Sequence, residues 1–237
     1  MNAPSVPLVS FADGVWLATT PVGLLGLRLT ATMTVLRLAD GKLLLASPVP
    51  LTPELHDAVL GLGPVAHLYA PNLFHHQWIG DWAKAVPLAR LHAPAGLEKK
   101  QPGLRVDRLH GAIPEPAFSG VVDELPIAGF RLRETALVYR PAQTLVVADL
   151  VHNVGRPTHA WTAMYTRGMG FYDRIALSRM LRWTAFDAPQ AARQSVDVML
   201  DHTFDRVVVG HGAPLATGGH DAIATAYAWL KGRDRNG

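Results

Sequence analysis

From Gly14 to Ser47 the chain passes through four short runs dense in aliphatic and β-branched residues, VWLATT, LLGLRLT, TMTVLRL and KLLLAS. Their spacing, with the turn signal Ala39-Asp40-Gly41 between the third and fourth, predicts an antiparallel meander. The period then changes. In LTPELHDAVLGLG, Thr52 supplies an N-cap, Pro53 the first helical position, Glu54 a first-turn acid and Gly63 a stop, which together predict a helix. VAHLYAP reads as a strand, HQWIGDWAKAVP as a helix ended by Pro87, and ARLHAP as a further strand.

Residues 95–124 are rich in Pro, Gly and charge and read as a connection with little core of its own. IAGFRLR, TALVYR and TLVVAD predict three more strands, the last two joined by the turn RPAQ. Residues 154–186 mix Arg, Trp, Met and Tyr without a dominant period, except that YDRIALSRMLRWT has helical spacing. A helix over PQAARQSVDVMLD, a strand RVVVG and a helix DAIATAYAWLKGR close the chain. Each half thus sets strands first and then alternates helices with strands. Two such halves face to face give an α/β (α+β) four-layer αββα sandwich of two mixed β-sheets, expected as one domain over residues 1–237.

Composition narrows the chemistry more than the fold. Of the 237 residues 49% are apolar, enough for a sizeable core. Lys and Arg number 22 against 19 Asp and Glu, and no basic run interleaves with aromatics, so nucleic acid is not expected as a partner. With no cysteine, disulfides and thiolates are excluded, and any metal has to be held by imidazole and carboxylate. The start MNAPSVPLVSFADG has neither the charged nor the apolar region of a signal peptide, and no long apolar run follows. A cytoplasmic protein without a membrane partner is the expectation. The oligomeric state is not legible.

Three predicted strands end on polar side chains. HLYAPNLFHH delivers Asn72, His75 and His76; TLVVADLVHN delivers Asp149 and His152; RVVVGHGAP delivers His211 between two glycines. In sheets that alternate with helices, ligand sites form beyond the carboxyl ends of strands. Each residue also has a plainer fate. GHG can be a strand-ending turn, Asp149 a cap, and adjacent His75 and His76 point apart, so one pocket takes one of them. Glu134, closing IAGFRLRE, reads as a surface partner of an arginine. His67, His92 and His110 read as surface or packing residues.

In this order the residues resemble the metallo-β-lactamase fold, in which a signature H-x-H-x-D-H follows a strand and opens a helix. Aligned on Ile79 and Gly80, its four ligand positions fall on Leu73, His75, Gln77 and Trp78, of which one is a ligand type the signature uses. Ala148-Asp149 matches the family's Gly-Asp element, and His211 its late histidine. PNLFHHQWIGDW with LVVADLVHN is similar to a branch of the fold whose signature is degenerate.

The resemblance implies a metal-dependent hydrolase with one cation in place of two, since a paired site needs about six ligands. His75, Asp149 and His211 are its implied ligands, with His152 as a further one and Asp149 as the catalytic carboxylate. Zinc is the first choice of metal, with manganese or iron compatible. An ester or lactone is the expected substrate, contacted by Asn72, His76, Glu134, Trp78, Trp161 and Tyr165.

The competing expectation is a metal-free, non-catalytic relative that binds a small molecule among Trp78, Trp161, Met164, Tyr165 and Phe171, residues equally suited to a core. Arg156, Arg167 and Arg174 are candidates for an anionic ligand or for solvation. A redox iron site ranks last, because its carboxylates and histidines are missing.

Overall fold

Which way each strand residue faces decides the layers. The computed structural model describes residues 6–111 and 113–230. Strands β1 (Leu8–Ala12), β2 (Val15–Leu24), β3 (Leu27–Arg37) and β4 (Leu43–Ala46) form the antiparallel meander, and β5 (Val65–Tyr69), β6 (Arg90–Ala93) and β7 (Arg108–Leu109) extend it in parallel, in sequence order. A second sheet runs in the order β11-β10-β9-β8, from β8 (Val122–Pro126), β9 (Thr135–Tyr139), β10 (Thr144–Val146) and β11 (Arg206–Val208). Its β10–β11 pair is parallel and the others antiparallel.

Alternation along the strands splits the apolar residues into separate cores. Leu17, Leu36, Leu44 and Tyr69 of the first sheet meet Val122, Leu137, Tyr139, Val146 and Val208 of the second, filling the space between the sheets. Their sequence neighbours Met33, Val35, Leu43, Leu45 and Leu68 face outward onto helices α1 (Pro53–Leu62) and α2 (Ile79–Ala85), where Trp82 is fully buried and donates from Nε1 to Val49 O at 2.8 Å. Ala136, Val138, Leu145 and Val207 face the other way, onto α6 (Pro189–Leu200) and α7 (Gly219–Tyr227). These are the four layers of the αββα sandwich. A large side chain buried this fully stabilises by roughly 2–3 kcal/mol, so the period-2 pattern fixes the strand register.

Several elements differ from the sequence reading. LLGLRLT and TMTVLRL are not two strands: β2 reaches Leu24, a two-residue turn at Leu25 and Gly26 takes φ of 50° and 79°, and β3 returns unbroken. Positive φ at both central residues matches the right-handed twist of the flanking strands. IAGFRLR is no strand either. The strand is β8, just before it, while Ile127 and Phe130 turn into the core and Gly129 approaches Ala188 so closely that a Cβ would lie 2.3 Å from its carbonyl oxygen.

Residues 95–124 carry the short helix α3 (Leu97–Lys100), β7 and the buried Phe118. Residues 154–186 hold α4 (Ala160–Met169) and α5 (Arg179–Thr184), the latter starting late because Ser178 Oγ accepts from Leu181 N at 3.2 Å as its N-cap. Thr52 caps α1 as expected. Residues 1–5 of the start and 231–233 of the last predicted helix lie outside the described residues. Among the described residues no helix is long and apolar enough to cross a membrane.

Candidate metal centre

The stretch APNLFHHQW leaves β5 through Asn72. Its Oδ1 accepts from both Phe74 N and His75 N at 2.8 Å, a side-chain turn that reverses the chain and returns His75 over the strand end. The carboxamide's other end is equally committed: Nδ2 donates to Glu134 Oε2 and to Asp149 Oδ2, each at 2.8 Å. Since both carboxylates only accept and both backbone groups only donate, the amide orientation is fixed.

Glu134 also takes Ala148 N at 2.7 Å and Asp149 N at 2.8 Å, so it holds the backbone that presents Asp149. The expected surface pairing with arginine is not found among the described residues; Glu134 is 1% exposed. Burial, and then the Asp149 charge, push its pKa up against these donors. For Asp149 burial acts to raise the pKa, but His75 and His211 outweigh it and hold the group well below the usual carboxylate range.

His211 follows β11. Its Nδ1 lies 2.6 Å from Thr30 O, and a carbonyl can only accept, so Nδ1 carries the proton and Nε2 is the free end. The two flanking glycines have different causes. At Gly210 a Cβ would lie 2.6 Å from His75 Cε1 and 2.7 Å from Ala148 O, while Gly212 takes φ of 106° with Asn153 O where its Cβ would be. GHG is therefore demanded by close approach as well as by the turn.

The free ends converge. His75 Nε2 and His211 Nε2 are 3.3 Å apart, and Asp149 Oδ1 lies 3.6 Å from the first and 3.3 Å from the second. The three groups come from chain positions more than sixty residues apart, yet their donor atoms form one nearly equilateral triangle. Burial acts to lower the His211 pKa; the hydrogen bond and charge of Asp149 overcome it and raise it.

The remaining expected site residues separate into groups. His152 stands beside the triangle, its ring centre 5.5 Å from that of His211 and 5.2 Å from that of Phe171, but outside the convergent set. Burial and then the His211 charge lower its pKa to about 4, and its buried Nδ1 has no hydrogen-bond partner among the described residues. Trp78, Gln77, Tyr165 and His152 line a cavity of about 290 Å³ that has the triangle in its wall. Trp161 is not on that wall: its Nε1 donates to Leu25 O at 3.2 Å and its ring stands against the lining residue Tyr165. Asn72 and Glu134 sit behind Asp149 and not on the cavity wall, and His76 turns away, its Nδ1 3.2 Å from Gln101 Nε2.

A second polar cluster escaped the sequence reading. His67 Nδ1 and His92 Nε2 are 2.8 Å apart with Glu115 within reach, all buried. Arg108 Nε donates to His92 Nδ1 at 2.8 Å, which leaves the proton on Nε2 to donate to His67 Nδ1. Arg90 pairs with Glu115 at 2.6 Å and Arg108 with Glu124, so two cations already balance two carboxylates. This is a closed hydrogen-bonded network. Its signal was the strand register, which pairs Tyr69 with His92 and His92 with Arg108.

No family model matches the sequence. No curated protein matches it either. Solved structures do. A metallo-β-lactamase from Pontibacter korlensis superposes with a TM-score of 0.65 at 13% identity, covering 96% of this chain and 100% of that one. The metallo-β-lactamase FIM-1 from Pseudomonas aeruginosa, in a mono-zinc form, gives 0.61 at 10% identity, covering 94% and 95%. The flavodiiron core of Flv1 from Synechocystis sp. PCC6803 gives 0.66 at 14% identity, covering 97% of this chain and 62% of that one. The chain has the metallo-β-lactamase fold.

Proposed function

We propose that this protein is a metal-dependent hydrolase with a single-cation site formed by His75, Asp149 and His211, acting on a small ester or lactone. The triangle carries the reading. Four ligands placed tetrahedrally at about 2.0–2.1 Å from zinc stand roughly 3.3–3.4 Å apart, and the observed separations are 3.3, 3.3 and 3.6 Å. Three protein ligands with a fourth position open is the pattern of a catalytic zinc. A cation held there supplies Lewis acidity to a carbonyl oxygen.

The chain's own groups do the rest. Thr30 O keeps the His211 proton on Nδ1 and so leaves Nε2 to bind, and Asn72 with Glu134 fixes Asp149 so that Oδ1 faces the site. Such support behind the ligands is what keeps a metal site in geometry. His152, neutral at physiological pH, offers a ring nitrogen to an incoming carbonyl or hydroxyl. Gln77 and Trp78, at two ligand positions of the paired-metal signature, supply no second set.

Elemental analysis of untagged protein tests this. About one equivalent of zinc, manganese or iron is expected per chain, lost in His211→Ala and Asp149→Asn, and an ester and lactone panel should be hydrolysed in a chelator-sensitive way. Wild-type protein that binds no added metal overturns it. One observation favours a second reading, a metal-free binding protein: the same three groups can bond one another directly, His211 as an imidazolium against Asp149. Ligand binding untouched by chelation, with no turnover, would be its outcome.

A further inference from the structure

The cavity beside the triangle differs in character from the triangle itself. Beside the polar Gln77, His152 and Ser178, its walls include Leu27, Leu29, Leu132, Val154, Phe171 and Leu181, and none of the described residues lining it is Lys or Arg. Three arginines of the 154–186 segment are held elsewhere: Arg156 by Asp173 at 2.6 Å, Arg167 over the Tyr172 ring at 3.8 Å, Arg174 by Gly170 O at 2.7 Å. Lys100 is turned to Leu73 O and the Phe74 ring.

The mouth continues the pattern. Leu24 at the β2–β3 turn, Phe74 after β5 and Met180 on α5 line it while exposed to solvent. Leu25 and Trp161 are also exposed. Trp161 and Leu25 are joined by a hydrogen bond, and Tyr165 bridges Trp161 to Met180, so Leu25, Trp161, Tyr165 and Met180 form one rim. A contiguous apolar surface leading into an apolar pocket marks a binding route.

We infer that the site takes a substrate whose reacting carbonyl carries an uncharged apolar chain or ring, and that it rejects substrates bearing a carboxylate on that chain. Beyond the triangle, the apolar part of the cavity would strip water from a carboxylate and give it no Lys or Arg in return, whereas each methylene placed there gains from burial. At about 290 Å³ the space matches the small end of ligand pockets. The inference rests on the hydrolase reading for the reaction, but the pocket's selectivity is a binding property that requires no turnover.

The test therefore measures binding. Displacement of N-phenyl-1-naphthylamine by methyl ketones from butyl to decyl, and by keto acids of matching length whose carboxylate ends the chain, would be followed on chelator-treated and zinc-loaded protein. We expect about three- to fourfold tighter binding per methylene until the cavity is full, and about a hundredfold weaker binding of the keto acids. Leu29→Trp should move the preferred chain to shorter lengths, and Met180→Glu should weaken all the ketones. Met180 is at the surface, so Met180→Glu still reads out should Leu29→Trp disturb the sheet.

Binding that ignores chain length, or keto acids that bind as well as ketones, overturns the inference. Zinc uptake without chain-length dependence sinks this inference alone; chain-length dependence without uptake of zinc, manganese or iron upholds it and sinks the single-cation site.

Discussion

Asn72 donates from Nδ2 to Asp149 Oδ2 at 2.8 Å, and its second amide proton goes to Glu134 Oε2 at the same distance, so one carboxamide separates two buried carboxylates. Asn72→Leu keeps the volume and removes both donors. Leaving buried acceptors unpaired costs about 1–3 kcal/mol, about 2–12 °C in Tm for a chain this long. Loss of a group that orients a ligand lowers metal affinity about 10- to 100-fold. Denaturant unfolding and competitive zinc titration check both numbers, and Asn72→Asp, a third carboxylate, should be worse at neutral pH. A variant equal to wild type in both would show that Asn72 does not position Asp149.

Gly210 is the tightest backbone approach to the centre. The methyl group of Gly210→Ala would meet His75 Cε1 at 2.6 Å and Ala148 O at 2.7 Å, and the carbonyl cannot yield without moving Asp149. His75 is the group that moves. Overpacking of this kind costs about 1–3 kcal/mol, and the larger expected effect is loss of metal uptake with the fold retained. Circular dichroism with elemental analysis separates the two. Full metal content in Gly210→Ala would argue that His75 is not a ligand.

The fold was readable because apolar periodicity reports burial. Strand runs such as VWLATT and RVVVG and the capped helix at Thr52 show their solvent-facing and core-facing sides in one dimension. Glu134 shows the limit. A glutamate closing a strand-like run resembles a solvated surface acid, and nothing local tells that Ala148 N, Asp149 N and Asn72 wait for it from elsewhere in the chain. The same holds for His67 and His92, whose partnership exists only in the register of β5, β6 and β7. For His75, Asp149 and His211 the sequence supplied residue types at strand ends, and the sandwich supplied the distance.

The inter-sheet histidines make stability fall in acid. Burial, and then the Arg108 charge, lower His92 to about 2 and His110 to about 3. An unfolded histidine titrates near 6.5. Below that pH the unfolded chain binds protons that the native state refuses, so stability drops by up to about 1.4 kcal/mol per pH unit per histidine, continuing toward the folded values. His110 lies on Tyr69 with ring centres 4.3 Å apart, and neither of its buried ring nitrogens has a hydrogen-bond partner among the described residues. His110→Phe should keep the stack, equal or exceed wild-type stability at neutral pH, and flatten the slope between about pH 6 and 4. Comparing the two proteins cancels Glu134, which titrates with the opposite sign in both. Equal slopes would place His110 in solvent when folded.

Metal at the triangle should be visible as stability before any substrate is found. A ligand that binds only the native state adds about 2.7 kcal/mol at a hundred times its Kd, which for this length is about 5–11 °C in Tm. Chelation should reverse the gain, and His75→Ala, Asp149→Asn and His211→Ala should abolish it. His152→Ala should keep most of it, because the His152 ring lies beside the three convergent donors and not among them. Asp149→Asn is the sharpest of these variants: it preserves size and can still accept from Asn72, so a lost thermal response there belongs to the missing charge and not to a collapsed site. A zinc response that survives in all three ligand variants would locate the bound ion elsewhere on the protein.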